Sequence, residues 1–387
     1  MADPAPAPPP PALQPAGSPI LTAGGIVLAI AGLYFGRDLF VPFALAILLS
    51  FALTPLVNWL RRWKLPRIAA VLVAVTLAFI LIAGITEGRM LDLVIAARRK
   101  DVGGFEVGRV LPFMRRRMVG PFIFFDHMGP VDLPPHMPRT TNVRPHPHIG
   151  LSTVTYLFDG EITHWDSTGA QQAIRPGAVN WMTASSGISH SERFDGPIRQ
   201  SVGRVHGIQA WVALPEAQEE MAPSFVHHGA EDLPVFGEPG VSARLIAGQA
   251  FGLSNPVRTQ SPLFYIHAEL QPGGRIGLPS EYPERAAYVV TGRLEADGRE
   301  YGPGQMLIFA GSSDPVLTAL EASTVMLLGG EPLGPRHIWW NFVSSRKERI
   351  EQAKADWQNG RIHLPLSDDQ EFIPLPEDPR PAPEPMS

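Results

Sequence analysis

The sequence predicts an all-β protein of two successive barrels, preceded by an apolar helical segment and followed by a short amphipathic helix. Three observations predict it. Short β-branched and aromatic runs, each closed by Asp-Gly or Pro-Gly, recur at hairpin spacing from about residue 150 to residue 330. Two pairs of metal-binding side chains, His146-Pro-His148 and His190-Ser-Glu192, sit at the period of a strand. Ahead of Met90 the chain instead reads as three long apolar stretches.

The paired donors carry the chemistry. Side chains one residue apart project from the same face of an extended strand, so His146 and His148 can reach a single ion, and His190 and Glu192 repeat that geometry. Four nitrogen and oxygen donors leave open positions on a metal that takes five or six ligands, as binding of water, dioxygen or a chelating substrate requires. A lone H-x-H is as often a chance surface cluster, and the surrounding sequence lowers that reading. His164 reads as structural. His127, after an apolar run, reads as an interior histidine bonded to backbone, and His206, His227 and His228 have no partner at ligand spacing.

The strands follow in order. Val154, Tyr156 and Phe158 alternate with Thr153, Thr155 and Leu157, and Asp159-Gly160 ends that run. Pro176-Gly177 supplies the next turn, Ala178 to Met182 resumes an apolar strand, and a Ser/Gly corner at 184–187 leads to His190. From Ser261 to Glu331 a second set reads FYIHAELQPGGRIGL, AAYVVTGRLEAD, YGPGQMLIFAG and ASTVMLLGGEPL, with Asp297-Gly298 and Pro303-Gly304 as turns. Between Leu278 and Ala287 that set carries PSEYPERA and no imidazole, and Glu281 and Glu284 read as solvated surface.

The stretches GGFEVGRVLP, MVGPFIFFDHMGP, RPHPHIGLSTVTYLFDGEITHWDSTG, IRPGAVNWMTASSGISHSE and GIQAWVALP resemble the pirin family of the cupin superfamily, in the family's order. The resemblance implies a double-stranded β-helix bicupin, with an N-terminal barrel at 90–215 and a metal-free C-terminal barrel at 216–342. It implies one mononuclear divalent metal, usually Fe(II), held by His146, His148, His190 and Glu192. The implied activity is that of a quercetin 2,3-dioxygenase, opening a flavonol-like aromatic substrate with dioxygen, with Glu192 as catalytic base as well as ligand. The alternative implied by the same family is a redox-responsive binding protein with a regulatory protein partner and no catalysis. Two departures stand out: Ser152 and Thr153 occupy the place where general cupins carry a glutamate, and Ser185 stands where many relatives have glycine, at a position expected to need a positive φ.

The flanks read differently. Residues 1–19 form a Pro/Ala-rich leader, expected to be disordered, and 20–86 hold the apolar stretches Leu21 to Phe35, Leu39 to Leu60 and Ile68 to Ile85, each near the ~20 residues of a membrane-crossing helix. The run LYFGRDLFVPFALAILLSFALTPLVNWLRRWKLPRIAAVLVAV resembles the start of autoinducer-2 exporter-like permeases, which implies a membrane anchor, or else an artificial joining of two reading frames. Leu39 to Ile85 is expected to form a helical hairpin whose basic turn, Arg61 to Arg67, lies at the membrane surface. Arg61, Arg62, Lys64 and Arg67 argue for one orientation and Arg98, Arg99 and Lys100 for the other, and the iron chemistry favours barrels on the cytoplasmic face of an inner membrane, or a cytoplasmic protein if the segment is mis-joined. At the other end, Ile350, Ala353 and Trp357 at helical spacing predict an amphipathic helix stopped by Gly360 within a 343–372 extension. Residues 373–387 read as a proline-rich disordered tail.

Composition bounds the rest. A net charge of -5 gives no footprint for nucleic acid, and Arg115-Arg116-Arg117 reads as one exposed turn. With no cysteine, neither disulfides nor thiolate ligands exist, so a metal must be held by nitrogen and oxygen.

Overall fold

The computed structural model describes residues 37–87, 90–102, 106–133, 142–194, 203–376 and 385–386, in two compact units, Met1–Thr86 and Glu87–Ser387. In the first unit, helices Arg37–Arg62 and Arg67–Glu87 are joined by a turn in which Lys64 takes a φ of 62°. Leu60 packs against Ala70 and Ala74, closing the hairpin end. The helices form where the apolar stretches predict them, and among the described residues no helix is long and apolar enough to cross a membrane. Arg37–Arg62 is interrupted by Ser50, Thr54 and Asn58 and closes on Arg61 and Arg62. In Arg67–Glu87 the side chains beyond residue 78 lie outside the described set, as do the leader and the stretch Leu21 to Phe35.

The second unit holds two β-barrels. In the first, a seven-stranded sheet runs Ser224–His228, Val179–Thr183, Leu151–Asp159, Gly203–Ala213, Phe122–Leu133, Glu106–Leu111, Arg98–Asp101. It closes on a four-stranded sheet of Val143–His148, Ile188–Arg193, Ile162–Asp166 and Gln171–Ile174. The second barrel repeats the plan, with Leu263–Leu270 and Glu284–Thr291 in its larger sheet and Arg275–Gly277 and Val316–Ala319 in its smaller one. The chain crosses between barrels more than a boundary at 215 suggests. Leu91–Ala96, first in sequence, pairs with Gln305–Phe309 of the second barrel, whereas Ser224–His228 still pairs with Val179–Thr183 of the first.

Alternation explains how the strands serve two cores at once. In Leu151–Asp159, Val154 and Tyr156 face the second barrel and pack with Trp181, Ile208, Tyr265, Tyr288 and Met326 in a core shared by both barrels. Thr153 and Thr155, pointing the opposite way, line the inside of the first barrel. Polar pairs cross the seam as well: the His127 ring bonds the Tyr288 hydroxyl at 2.9 Å, Tyr156 and His267 pair at 2.9 Å, and Arg116 meets Glu284 at 2.8 Å. Glu284 is thus an inter-barrel ion-pair partner and not free surface, and Arg116 belongs to the seam and not to a solvated turn. His127 finds a tyrosine and, at 2.8 Å, the ring of His206 instead of backbone.

The predicted turns hold, and Asp297-Gly298 has both φ values positive, 54° and 68°, as a two-residue hairpin turn of the mirror-image type needs. Helix Lys347–Gln358 buries Ile350, Ala353 and Trp357 against Phe342 and Ile149 and ends before Gly360, whose φ is 67°. The chain beyond it is not a free tail at residue 373: the Ile373 amide donates to Pro145 O at 2.8 Å, and Trp357 Nε1–H donates to Ile373 O at 3.0 Å. Residues 377–384 of the expected tail lie outside the described set.

Candidate metal centre

Strands Val143–His148 and Ile188–Arg193 run antiparallel with His146 opposite His190 and His148 opposite Ile188, so period-two alternation delivers three imidazoles to the inside of the first barrel. Their ring centroids stand 4.4 to 5.0 Å apart, and one candidate ligand atom from each lies within 4.8 Å of the others. All three are buried, with exposures of 7, 1 and 2% for His146, His148 and His190. The corner before His190 is built around Ser185, whose φ of 44° places a non-glycine residue in the left-handed region, and its carbonyl accepts from Gly150 N at 2.8 Å. The serine therefore takes the conformation expected of glycine, and the loop still presents His190.

The donor chemistry fits a cation. Burial holds His146 down to about 4, and burial together with the neighbouring imidazoles holds His148 and His190 well below the usual histidine range, so the rings are neutral and keep lone pairs. His146 Nδ1–H donates to the Arg144 carbonyl at 2.9 Å, leaving Nε2 as the free lone pair directed inward. His148 Nε2 and His190 Nε2 lie 3.1 Å apart. Two nitrogens each about 2.1 Å from one ion and at right angles would stand roughly 3 Å apart, so the observed spacing already suits adjacent ligand positions.

Glu192, two residues past His190, faces the same cavity but lies outside the cluster of three imidazoles. The register slips between His190 and Glu192, which pairs with Val143, and this bulge sets the carboxyl back from the histidines. Burial pushes it up to about 7, and no hydrogen bond to it is formed by the described residues.

The cavity holding these groups measures about 740 Å³. Phe124 and Trp211 form a stacked pair in its wall, centroids 4.0 Å apart, and Trp211 meets His148 edge-on at 5.2 Å. Arg109 binds Asp126 through two hydrogen bonds of 2.9 and 2.8 Å and lies 4.5 Å over the Phe124 ring. Burial raises the Asp126 carboxyl, and the guanidinium works against that shift. Trp340, which also lines the cavity, has a φ of 52°, a strained conformation for a bulky side chain at a functional wall. Arg117 of the basic run lines it too, so one of its three arginines faces the site.

Sequence reasoning missed these walls because they come from four distant segments. It also set aside His164. That ring is 4% exposed, stacks on Phe225 at 4.4 Å, and contacts His190 Nδ1 at 3.3 Å and Asp166 at 2.9 Å. The available signal was H-W-D, the same period-two spacing as the ligand pairs. Asp166 is ionised: burial opposes its charge, but hydrogen bonds from His164 and Thr168 outweigh it and hold the carboxyl below its usual value. On the opposite face of Ile188–Arg193 the C-terminal segment grips the strand. Arg193 binds Asp368 through two bonds of 2.7 and 2.8 Å, and Ser191 Oγ–H donates to the same carboxylate.

Comparison with known proteins agrees with this geometry. The profile described as Pirin matches residues 104–212, and that of the Pirin C-terminal cupin domain matches 265–363. A pirin-like protein of Caulobacter vibrioides is 63% identical over 289 residues, covering 74% of this chain and all of that protein. The chain belongs to the pirin family. A solved structure titled quercetin 2,3-dioxygenase from Acinetobacter baumannii superposes with a TM-score of 0.67 at 31% identity, over 74% of this chain and 97% of that one. A pirin-like protein of Arabidopsis thaliana is 31% identical over 280 residues, 69% of this chain and 84% of its own length. Residues 25–87 match the AI-2E family transporter profile, as the resemblance of the apolar segment implied.

Proposed function

We propose that this pirin-family chain is a metal-dependent dioxygenase that opens flavonol-like aromatic substrates, with His146, His148, His190 and Glu192 holding one divalent ion, Fe(II) by resemblance to the family. One observation carries the reading: the three imidazoles converge on the wall of a 740 Å³ cavity and not in a sealed core. A site that only sensed redox state would need no such volume, whereas small-molecule pockets are commonly about 300–1,000 Å³ and lined by aromatic side chains. The dioxygenase relatives among solved structures support the same reading.

When bound, the ion would offer Lewis-acid and one-electron chemistry for a chelating hydroxyl and for dioxygen. The protein's own groups do the rest. The Phe124–Trp211 stack offers a flat apolar surface beside His148 on which a fused aromatic ring can lie. Glu192, whose carboxyl faces the cavity, takes the proton from the substrate hydroxyl at a carboxylate oxygen. Arg109, fixed by Asp126, is a polar contact for an oxygen-bearing arm of the substrate.

The test is oxygen uptake by metal-loaded protein with quercetin as probe. Wild type should consume dioxygen. Glu192→Gln should keep part of its metal through the amide oxygen yet lose turnover, because the amide accepts no proton. A variant with full metal and full turnover would remove Glu192 as the base. No uptake by metal-replete wild type would overturn the flavonol reading.

A further inference from the structure

The three imidazoles differ in what stands behind them. His146 Nδ1–H meets a neutral carbonyl, that of Arg144, and His148 is backed only by the Asn341 backbone. Among the described residues His190 alone of the three is backed by other ionisable side chains: its Nδ1 lies 3.3 Å from His164 Nδ1, and His164 Nε2 lies 2.9 Å from Asp166 Oδ2. Exposures of 2, 4 and 1% put all three groups out of water.

Strand pairing sets this up. Ile162–Asp166 runs antiparallel to Ile188–Arg193 with Asp166 opposite His190 and His164 opposite Glu192, so the H-x-D pair faces the same way as the ligands. Asp166 does not move freely. Its Oδ1 accepts from Thr168 N at 2.8 Å, Thr168 Oγ at 2.6 Å and Ala170 N at 3.2 Å, which ties the carboxylate to the turn and leaves Oδ2 for His164. The His164 ring is held in plane by Phe225, 16° from parallel.

Only one proton arrangement satisfies every neutral group in that row. His164 must carry its proton on Nε2 to donate to the carboxylate, which leaves a lone pair on Nδ1. His190 must then donate from Nδ1, which leaves its own lone pair on Nε2, facing His148 and the cavity. Reversing His164 would set a lone pair against the carboxylate, and reversing His190 alone would set two lone pairs against each other at the Nδ1 contact.

We propose that Asp166 and His164 are positioning residues that lock His190 in its Nε2-ligating tautomer and make it the strongest of the three imidazole donors to a divalent cation. A carboxylate acting through a second imidazole polarises the donated N–H more than the Arg144 carbonyl does behind His146, so the three positions on the ion are inequivalent. The inference rests on the metal reading of the site and is independent of the reaction catalysed there.

The experiment uses the full chain and Co(II) as probe, with affinity measured by competition against a chelator and the ligand-field absorption of the bound ion recorded. His164→Phe keeps the stack on Phe225 and removes both nitrogens. Co(II) affinity should fall about 10- to 100-fold with the melting temperature of the metal-free protein retained, and the absorption bands should shift. His164→Gln can accept from His190 through its amide oxygen and donate to Asp166 through its nitrogen, so it should recover most of that affinity. Asp166→Asn keeps the volume and should shift the bands in the same direction as the Phe variant. Wild-type affinity and unshifted bands in the Phe variant, or equal losses in the Phe and Gln variants, would overturn the relay. If His164→Phe fails to fold, the Gln and Asn variants decide: equal affinity and spectra in both and in wild type would overturn it. A wild-type protein that binds no Co(II) would instead overturn the metal reading beneath it.

Discussion

The two barrels share a plan of one larger and one four-stranded sheet, yet their interiors are opposites. Inside the second, Phe264, Ile266, Leu278, Val289, Leu307 and Leu327 form one apolar cluster between the sheets. Inside the first, the corresponding space presents His146, His148, His190, Asp126, Gln209 and Thr155 around a cavity. The difference teaches that the first barrel holds its polar cavity beside an apolar cluster of its own, in which Val107, Met128, Leu157, Ile162 and Ile174 pack. Its strands are held both by that cluster and by the apolar core shared with the second barrel, where Tyr156 and Trp181 pack on Tyr265 and Met326. The second barrel is the buttress, and the first is thereby free to spend its interior on polar groups that contribute little to stability.

The comparison breaks most readily at the ligands, where the largest effect is expected. His148→Ala removes one of three imidazoles and, apart from its edge contact with Trp211, leaves the core shared by the barrels untouched, so metal content should collapse while the folded state survives. Elemental analysis and far-ultraviolet circular dichroism check both halves. Unchanged metal content would mean that the site is misplaced, and loss of the fold would mean that the first barrel does rely on its interior.

The reciprocal change belongs in the buttress. Leu327 is fully buried in the apolar cluster, and Leu→Ala at such sites typically costs about 2–5 kcal/mol. Leu327→Ala should lower the denaturation midpoint by a corresponding amount while the protein that remains folded binds metal at the wild-type stoichiometry. Metal loss in parallel with stability would show that the two interiors are coupled and not independent.

The legibility of this molecule in its sequence follows the same division. Strands, turns and the convergence of His146, His148 and His190 were readable because each is local: alternation in Thr153 to Phe158, Gly or Asp-Gly at positive φ, and imidazoles at period two. The cavity walls were not, because Arg109, Asp126, Gln209 and Trp211 become neighbours only through cross-strand register, Arg109 opposite Asp126 and Asp126 opposite Gln209. The grip of Asp368 on Arg193 spans 175 residues and leaves no local trace. The apolar helices were readable for the same local reason, while among the described residues no helix is long and apolar enough to cross a membrane.

A smaller effect is expected at the seam between the barrels. Burial holds His127 and His267 down to about 4 and lowers His206 as well, so all three are neutral when folded. Below the unfolded histidine value near 6.5 the unfolded chain gains protons that the folded one refuses, so stability is full above pH 6.5 and falls as pH drops toward 4. The slope is at most about 1.4 kcal/mol per pH unit for each imidazole. Chemical denaturation at pH 7.5, 6.0 and 5.0 should show this acid limb, and the double variant His127→Gln, His206→Gln should make it shallower, with His267 and the three cavity imidazoles supplying the remainder. An acid limb unchanged in the double variant would move its origin from the seam to the ligand histidines.

The smallest effect is expected at the N-terminus, and it sharpens where the barrels begin. Glu87–Ser387 is a compact unit by itself, so removing residues 1–89 should leave the denaturation midpoint and the metal content unchanged. Removing seven residues more should not be neutral. Leu91–Ala96 is the edge strand of the second barrel's larger sheet, pairing with Gln305–Phe309, and Ile95 is fully buried in the core shared by both barrels. A chain starting at residue 97 would leave the Gln305–Phe309 edge unpaired and a hole beside Met306 and Ile308, so it should aggregate or melt several degrees lower. Equal midpoints for the two truncations would show that the strand is a passenger on the buttress, and a drop on removing residues 1–89 alone would show that the helical unit supports the barrels.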